Sequence, residues 1–184
     1  MPMIRNYIPS DEPSWLRCRV LAFLATSYFD DVWTSRPDDS QVQLVAVEGE
    51  VVVGILDLCL DGGLATIDTI CVHPDHQHRG IGTALLRRAL ELLPEQIRTL
   101  DAWTRDDADT LRWYRSRGFT ESEHYLHVHK AWDEPAGQGW TAPAPLSAPV
   151  TAFCHAPLEH EAELRRAHRR VHVCRRFSLV VAAD

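Results

Sequence analysis

The chain has 184 residues, 45% of them hydrophobic and 24% charged, which suits one globular domain and excludes a fibrous or disordered polypeptide. No apolar run approaches the roughly 20 residues that cross a bilayer, and the N-terminal MPMIRNYIPSDEP lacks the apolar stretch of a secretion signal, so a cytoplasmic protein is expected. The net charge of −7 disfavours a phosphate backbone as partner, so neither nucleic acid nor membrane is expected.

In chain order, MIRNY (3–7) reads as a short strand, and Ser10 is placed to cap a helix from near Pro13. Leu16, Val20, Phe23 and Leu24 share its apolar face, and SYFDDVW (27–33) reads as a second, short helix. Two strands, 42–48 and 51–60, form a hairpin turning at Gly49-Glu50. A further turn at Asp61-Gly62-Gly63 leads to a strand over 64–72, too continuously apolar for a surface edge and stopped by Pro74.

Ile81, Leu85, Leu86, Ala89, Leu92 and Leu93 recur at helical spacing up to Pro94, and 97–104 is the next strand. An acidic start at 106–109 and a stop at Gly118 frame a helix over 107–117, and FTESEHYLHVHKA then alternates like a strand. Residues 133–149, rich in Pro, Gly and Ala, read as a loop. Residues 150–184 read strand, helix, strand, too short for a core of their own, and so pack on the domain formed by 1–132 or on a second subunit. The expected fold is α/β: a mixed, mostly antiparallel sheet flanked by helices, with this C-terminal appendage.

The five cysteines, Cys18, Cys59, Cys71, Cys154 and Cys174, form no Cys-x-x-Cys pair, which argues against a disulfide framework or a zinc ribbon. The histidines invite a metal reading at His73, His76 and His78 or at His127 and His129, but no third ligand stands at a metal spacing, so no metal is expected. Arg165, Arg166, Arg169, Arg170, Arg175 and Arg176 lie among Glu159, Glu161 and Glu163, the pattern of a solvated or subunit-facing helix.

The sharpest local signal is HPDHQHRGIGTALLRRAL (73–90). A strand, a bend and a helix start place a run of backbone N–H groups where the helix dipole favours an anion. Gly80 and Gly82 let a phosphate approach that backbone, Arg79 adds charge and Thr83 a hydroxyl. Leu85 stands where a dinucleotide fingerprint needs a small residue, and no Gly-Lys-Ser/Thr is present.

Gln77-His78-Arg79-Gly80-Ile81-Gly82, between ICVHP and TALLRRAL, resembles the acyl-CoA turn of the GNAT superfamily of N-acetyltransferases. LRWYRSRGF (111–119) is similar to the family's second recurrent motif, and the order of elements agrees from about residue 3 to 130. The resemblance implies acetyl-CoA as co-substrate and a primary amine, on a small molecule or peptide, attacking it directly in a ternary complex. It implies that backbone groups of Cys71 and Val72 hold the pantetheine arm and that Gln77, His78, Arg79, Gly80, Ile81, Gly82 and Thr83 form the pyrophosphate cradle. Asp107 joins the cofactor-binding set, and Tyr114 is the acid for the departing thiolate. Many relatives carry a glutamate where Thr66 stands; Asp68 is the nearest carboxylate and the candidate base or water relay, with Asp57, Asp101, His124 and His127 as unranked others. Trp15, Tyr28, Phe29, Trp33, Trp113 and Tyr125 are read as core before acceptor pocket, and the C-terminal strands make a homodimer an expectation. The alternative function is a non-catalytic acyl-CoA sensor or interaction module.

Overall fold

The computed structural model describes residues 2–135 and 140–181. Strands β1 (Met3–Asn6), β2 (Val42–Glu48), β3 (Val51–Asp61), β4 (Leu64–Val72), β5 (Thr99–Thr104), β6 (Thr120–Lys130), β7 (Ala152–Ala156) and β8 (Arg170–Val180) form one sheet in the order β1-β2-β3-β4-β5-β8-β6-β7. Every neighbouring pair is antiparallel except β4 and β5, which run parallel. The helices are α1 (Glu12–Phe23), α2 (Ile81–Glu91), α3 (Ala108–Ser116) and α4 (Glu161–Ala167), and none described is long and apolar enough to cross a membrane.

The C-terminal strand-helix-strand is present, and its last strand is an interior one. β8 pairs with β5 on one side and β6 on the other, and its Phe177 is wholly buried, stacked 5.2 Å from Tyr114. The 133–149 loop is described except for 136–139. Arginines before and within β8 are ion-paired: Arg165 with Glu161, Arg169 with Asp133 and Glu134, Arg170 with Asp30, and Arg176 with Asp101 and Glu123.

Two apolar clusters cover the two faces of the sheet. Leu44, Leu56, Leu58, Ile67, Leu100 and Phe177 meet α2 and α3, whereas Val45, Val47, Ile55 and Cys71 meet α1. Helix α2 comes close to β3 because residue 54 is glycine: a Cβ there would lie 2.8 Å from Ile81 Cγ2. Close packing leaves no slack for that atom.

Three expectations for the N-terminal region are corrected. Ser10 lies in a 3-10 turn, Pro9–Asp11, and does not cap α1. The Asp11 carboxylate is turned back to the Ile8 N–H and the Arg5 guanidinium. The face α1 buries is Trp15, Cys18, Arg19 and Ala22, while Leu24 is 62% exposed. Apolar counting misses this because Trp15 stacks on Trp33 at 5.9 Å, and Arg19 is drawn inside by Asp31 and by the Trp33 ring, 3.4 Å from its guanidinium carbon. Residues 27–33 form turns, not a helix. Their carbonyls are taken by distant arginines: Ser27 O accepts from Arg105 and Arg170, and Asp31 O from Arg19.

Candidate active site

The site begins with one extra residue in β4. Asp57 of β3 opposes Thr69 and Leu58 opposes Ile67, which leaves Asp68 unpaired as a bulge. The bulge flips the side-chain alternation, so Ile67 points to the α2–α3 core and Cys71 to the α1 core. β4 leaves β5 at the same place: their last register pair is Ile67 with Ala102. Beyond it the two strands splay around a cleft of about 620 Å³, its open mouth included. Asp68, Thr69, Trp103, Tyr114, Tyr28 and Asp107 are among its walls.

His73 N–H donates to Val53 O at 2.9 Å, on the β3 side. Backbone direction alternates along a strand, so Val72 turns its N–H and C=O to the splay, and Cys71, opposite Ile55, turns its own to β3. The Val72 carbonyl accepts from the Gln77 side chain at 3.2 Å, which pins the following bend.

In that bend His78 has φ 59° and Gly80 φ 78°. Gly80 is the N-cap of α2 and offers no side chain, so the N–H groups of Ile81, Gly82 and Thr83, the helix's first three, have no intrahelical acceptor. His78, Arg79 and Gly80 are exposed, so this run of donors opens outward beside a cation. A Cβ on Gly82 would touch the Trp113 indole and Val72 Cγ2, both at 3.7 Å, an ordinary contact that a methyl accepts.

Helix α3 supplies the facing wall. Tyr114 is 3% exposed, packed among Trp113, Phe119 and Phe177, and its side chain lines the cleft. Burial holds its hydroxyl well above the usual phenol range, so it stays protonated. Asp107 also lies at the cleft, but its carboxylate accepts from the Ser27 N–H at 3.0 Å and the Ser27 hydroxyl, tying the segment after α1 to α3.

The carboxylates divide by environment. Asp68 is exposed at the cleft and accepts from the Thr69 hydroxyl at 3.1 Å. Thr66 donates to Asp101, which also holds Arg176, so both are committed to the sheet. Asp57 is buried and receives Arg36 Nη2 at 3.0 Å. Its burial pushes the carboxyl up to about 6, against the pull of Arg36 and helped by Asp68 and Asp39.

The histidines stand apart. His124 binds Glu121 on the surface. His127 accepts from Arg105 at 3.0 Å and meets the Tyr125 hydroxyl at 3.0 Å; burial and Arg105 push it down to about 3, so it is neutral. His127 and His129 do share a face, both against Phe153, yet among the described residues no group of three or more potential ligands is placed to hold a metal.

Two of the aromatics read as core before acceptor pocket take part in the site, one at the cleft and one beside the bend. Tyr28 lies in the segment expected to be helical, accepts the Arg105 N–H at 3.0 Å and is raised to about 12 by burial. Trp113, read as core, sets its indole against Gly82. No local pattern marks either contact.

Residues 39–121 match the family model of the acetyltransferase (GNAT) domain. Over 102 residues the chain is 33% identical to mycothiol acetyltransferase of Sanguibacter keddieii, covering 54% of this chain and 32% of that protein. It thus spans about a third of that relative's length. The fold matches the ribosomal-protein-S18-alanine N-acetyltransferase of Escherichia coli with a TM-score of 0.63 at 16% identity, over 100% of this chain and 96% of that one. It also matches yncA of Salmonella typhimurium, solved with its cofactor acetyl-CoA, with a TM-score of 0.60 at 17% identity, over 100% and 96% of the two chains. Residues 39–121 are thus similar in sequence to an acetyltransferase (GNAT) domain, and the fold across the chain is that of these solved structures.

Proposed function

We propose that the protein transfers acetyl from acetyl-CoA to a primary amine of a small molecule or peptide by direct attack, without a covalent enzyme intermediate. The observation that carries this reading is the coincidence of the Asp68 bulge, the splay of β4 from β5 and the bare N-terminus of α2. A run of N–H groups beside Arg79 fits a pyrophosphate, and the Val72 carbonyl, facing the splay, offers an acceptor for a pantetheine amide. Gly82, with its 3.7 Å margin to Trp113, keeps that approach open. When bound, acetyl-CoA supplies an acetyl group on a good leaving group, a thiolate.

The chain's own residues do the rest. Ile81, Gly82 and Thr83 hold the pyrophosphate on backbone N–H groups, with Arg79 adding charge. The Val72 N–H faces the splay and supports charge growing on the thioester oxygen. Tyr114, protonated and aimed into the cleft, gives its proton to the leaving sulfur. Asp68 meets the acceptor's ammonium at the cleft mouth and draws a proton from it. Asp107 and Tyr28 hold the segment after α1 as the acceptor wall.

The experiment is thiol release from acetyl-CoA across an amine panel, read with the mass of the acetylated product. Turnover with at least one amine is expected. Tight binding of acetyl-CoA with no turnover on any amine would instead identify a sensor.

A further inference from the structure

Among the polar atoms buried without a protein hydrogen-bond partner in the described residues, Trp15 Nε1, Arg36 Nε and Asp57 Oδ1 belong to side chains that come together on the α1 side of the sheet. Arg36 binds the other Asp57 oxygen at 3.0 Å, and its guanidinium carbon lies 5.6 Å from the Trp15 ring and 4.5 Å from the Tyr7 ring. Folded proteins satisfy such groups with enclosed water, and a water can donate to the free Asp57 oxygen. A purely structural ion pair accounts for one oxygen of Asp57 and leaves the second open.

That second oxygen lies one strand from the cleft. Thr69, the register partner of Asp57, puts its Cβ about 5 Å from the Asp57 Cβ. The Thr69 hydroxyl donates to Asp68 at 3.1 Å, and Thr69 and Asp68 both line the cleft. A polar line therefore runs from the cleft through Asp68 and Thr69 to Asp57.

We propose that Asp57 is the positioning residue on which the acceptor's proton comes to rest, relayed from Asp68 through the Thr69 hydroxyl and enclosed water. The proposal rests on the acetyl-transfer reading above. An ammonium N–H bond breaks, its electron pair stays on nitrogen, and the proton ends as an O–H on Asp57. The freed pair bonds to the acetyl carbon as the C–S bond breaks; the sulfur leaves with the C–S electron pair and takes the Tyr114 proton, and the second proton that the nitrogen sheds restores the Tyr114 hydroxyl. Once product departs, the proton returns to solvent by the same line.

The groups facing Asp57 are Arg36 and Asp39 from the segment after α1, Asp68 from β4, Cys59 from β3 and Tyr7 after β1, with Glu12 of α1 holding the Arg36 backbone N–H. Together with burial they set a carboxyl that exchanges its proton near pH 6, suited to an acid in transit.

The test is the pH profile of kcat/KM for an amine the protein acetylates. In the wild type, activity rises through an inflection near pH 6. Thr69→Val, which removes the hydroxyl and leaves the ion pair alone, is expected to lower kcat about ten-fold and abolish that inflection, with KM for acetyl-CoA unchanged and Thr69→Ser restoring both. The double variant Asp57→Asn/Arg36→Met, which leaves no unpaired buried charge, should also lose the inflection. A wild type that acetylates no amine overturns the underlying reading and the proposal with it. A wild type that turns over, with a profile indifferent to Thr69→Val and to the double variant, overturns the proposal alone.

Discussion

The two walls of the candidate site are built on different principles. The wall formed by α2 and its preceding bend, past the β4 end of the cleft, is local: strand end, bend, Gly80 and the first N–H groups of the helix follow one another within residues 72–83. The opposite wall is assembled from contacts between segments far apart in the chain: Arg19 with Asp31, Arg36 with Asp57, Ser27 with Asp107, and Arg170 with Asp30. A backbone cradle suits a ligand whose phosphates never change. A wall of side-chain contacts on a turn-rich segment suits an acceptor that differs from one relative to the next.

If the second wall depends on distant ion pairs, breaking one of them gives the largest effect. Arg19 is buried, with Asp31 and the Trp33 ring as its partners. Arg19→Ala is expected to cost about 3 kcal/mol in urea unfolding, through the lost packing and the stranded partner. Loss under 1 kcal/mol would mean that the 27–33 segment is held by other contacts.

The first wall should respond to bulk, with little effect on stability. Gly82→Trp fills the space before Val72 and Trp113 and is expected to weaken acetyl-CoA binding about 100-fold, or about 2.7 kcal/mol, by titration calorimetry. Gly82→Ala, which fits at 3.7 Å, should change it less than about three-fold. Equal affinities for the wild type and Gly82→Trp would place the phosphates elsewhere.

The second wall also carries a pH signature that the first lacks. Asp57 is raised from 3.8 to about 6, so the folded state binds its proton more tightly than the unfolded chain does. Stability from this group is present below the unfolded value and declines as pH rises from about 4 to 6, by roughly 3 kcal/mol. Asp30, lowered to about 2 by Arg170, acts in the opposite sense and at lower pH: its contribution is lost as pH falls from about 4 to 2. The difference in unfolding free energy between the wild type and Asp57→Asn/Arg36→Met, measured from pH 4 to 6, isolates the first effect, and a flat difference would refute it.

A smaller effect is expected at the seam between the walls. Asp107→Ala removes the acceptor of the Ser27 N–H and hydroxyl, and should cost about 1 kcal/mol in thermal or urea unfolding. It should also raise KM for the amine more than KM for acetyl-CoA, because the tie holds the acceptor side.

The same contrast explains what could be read from the chain alone. The hairpin, β4, α2, α3 and the Gly80–Gly82 bend rest on periodicity and on residues within a few positions of one another, and each lies where the pattern placed it. The bulge at Asp68 was invisible, because the apolar residues on either side of it suit both faces of a sheet that is buried on both, and so hide a flip. The face of α1 was misread because a buried arginine and a large Trp15 outweigh Leu16 and Val20. The turn at 27–33 and the insertion of β8 between β5 and β6 depend on partners some 80 to 140 residues away, as with Ser27 and Asp107 or Asp30 and Arg170. Of the candidate site residues, Tyr114, Asp68 and Asp107 line one cleft, the bend follows β4 beyond that lining, and His124 and His127 lie outside it.

The most direct measurement is an amide NMR titration of the isotopically labelled protein with coenzyme A. The resonances of Val72, Gly80, Ile81, Gly82 and Thr83 should shift together and saturably, with the Trp113 indole N–H, while His127 and His129 stay still. Shifts confined to the histidine face of β6, or absent from residues 80–83, would contradict the account.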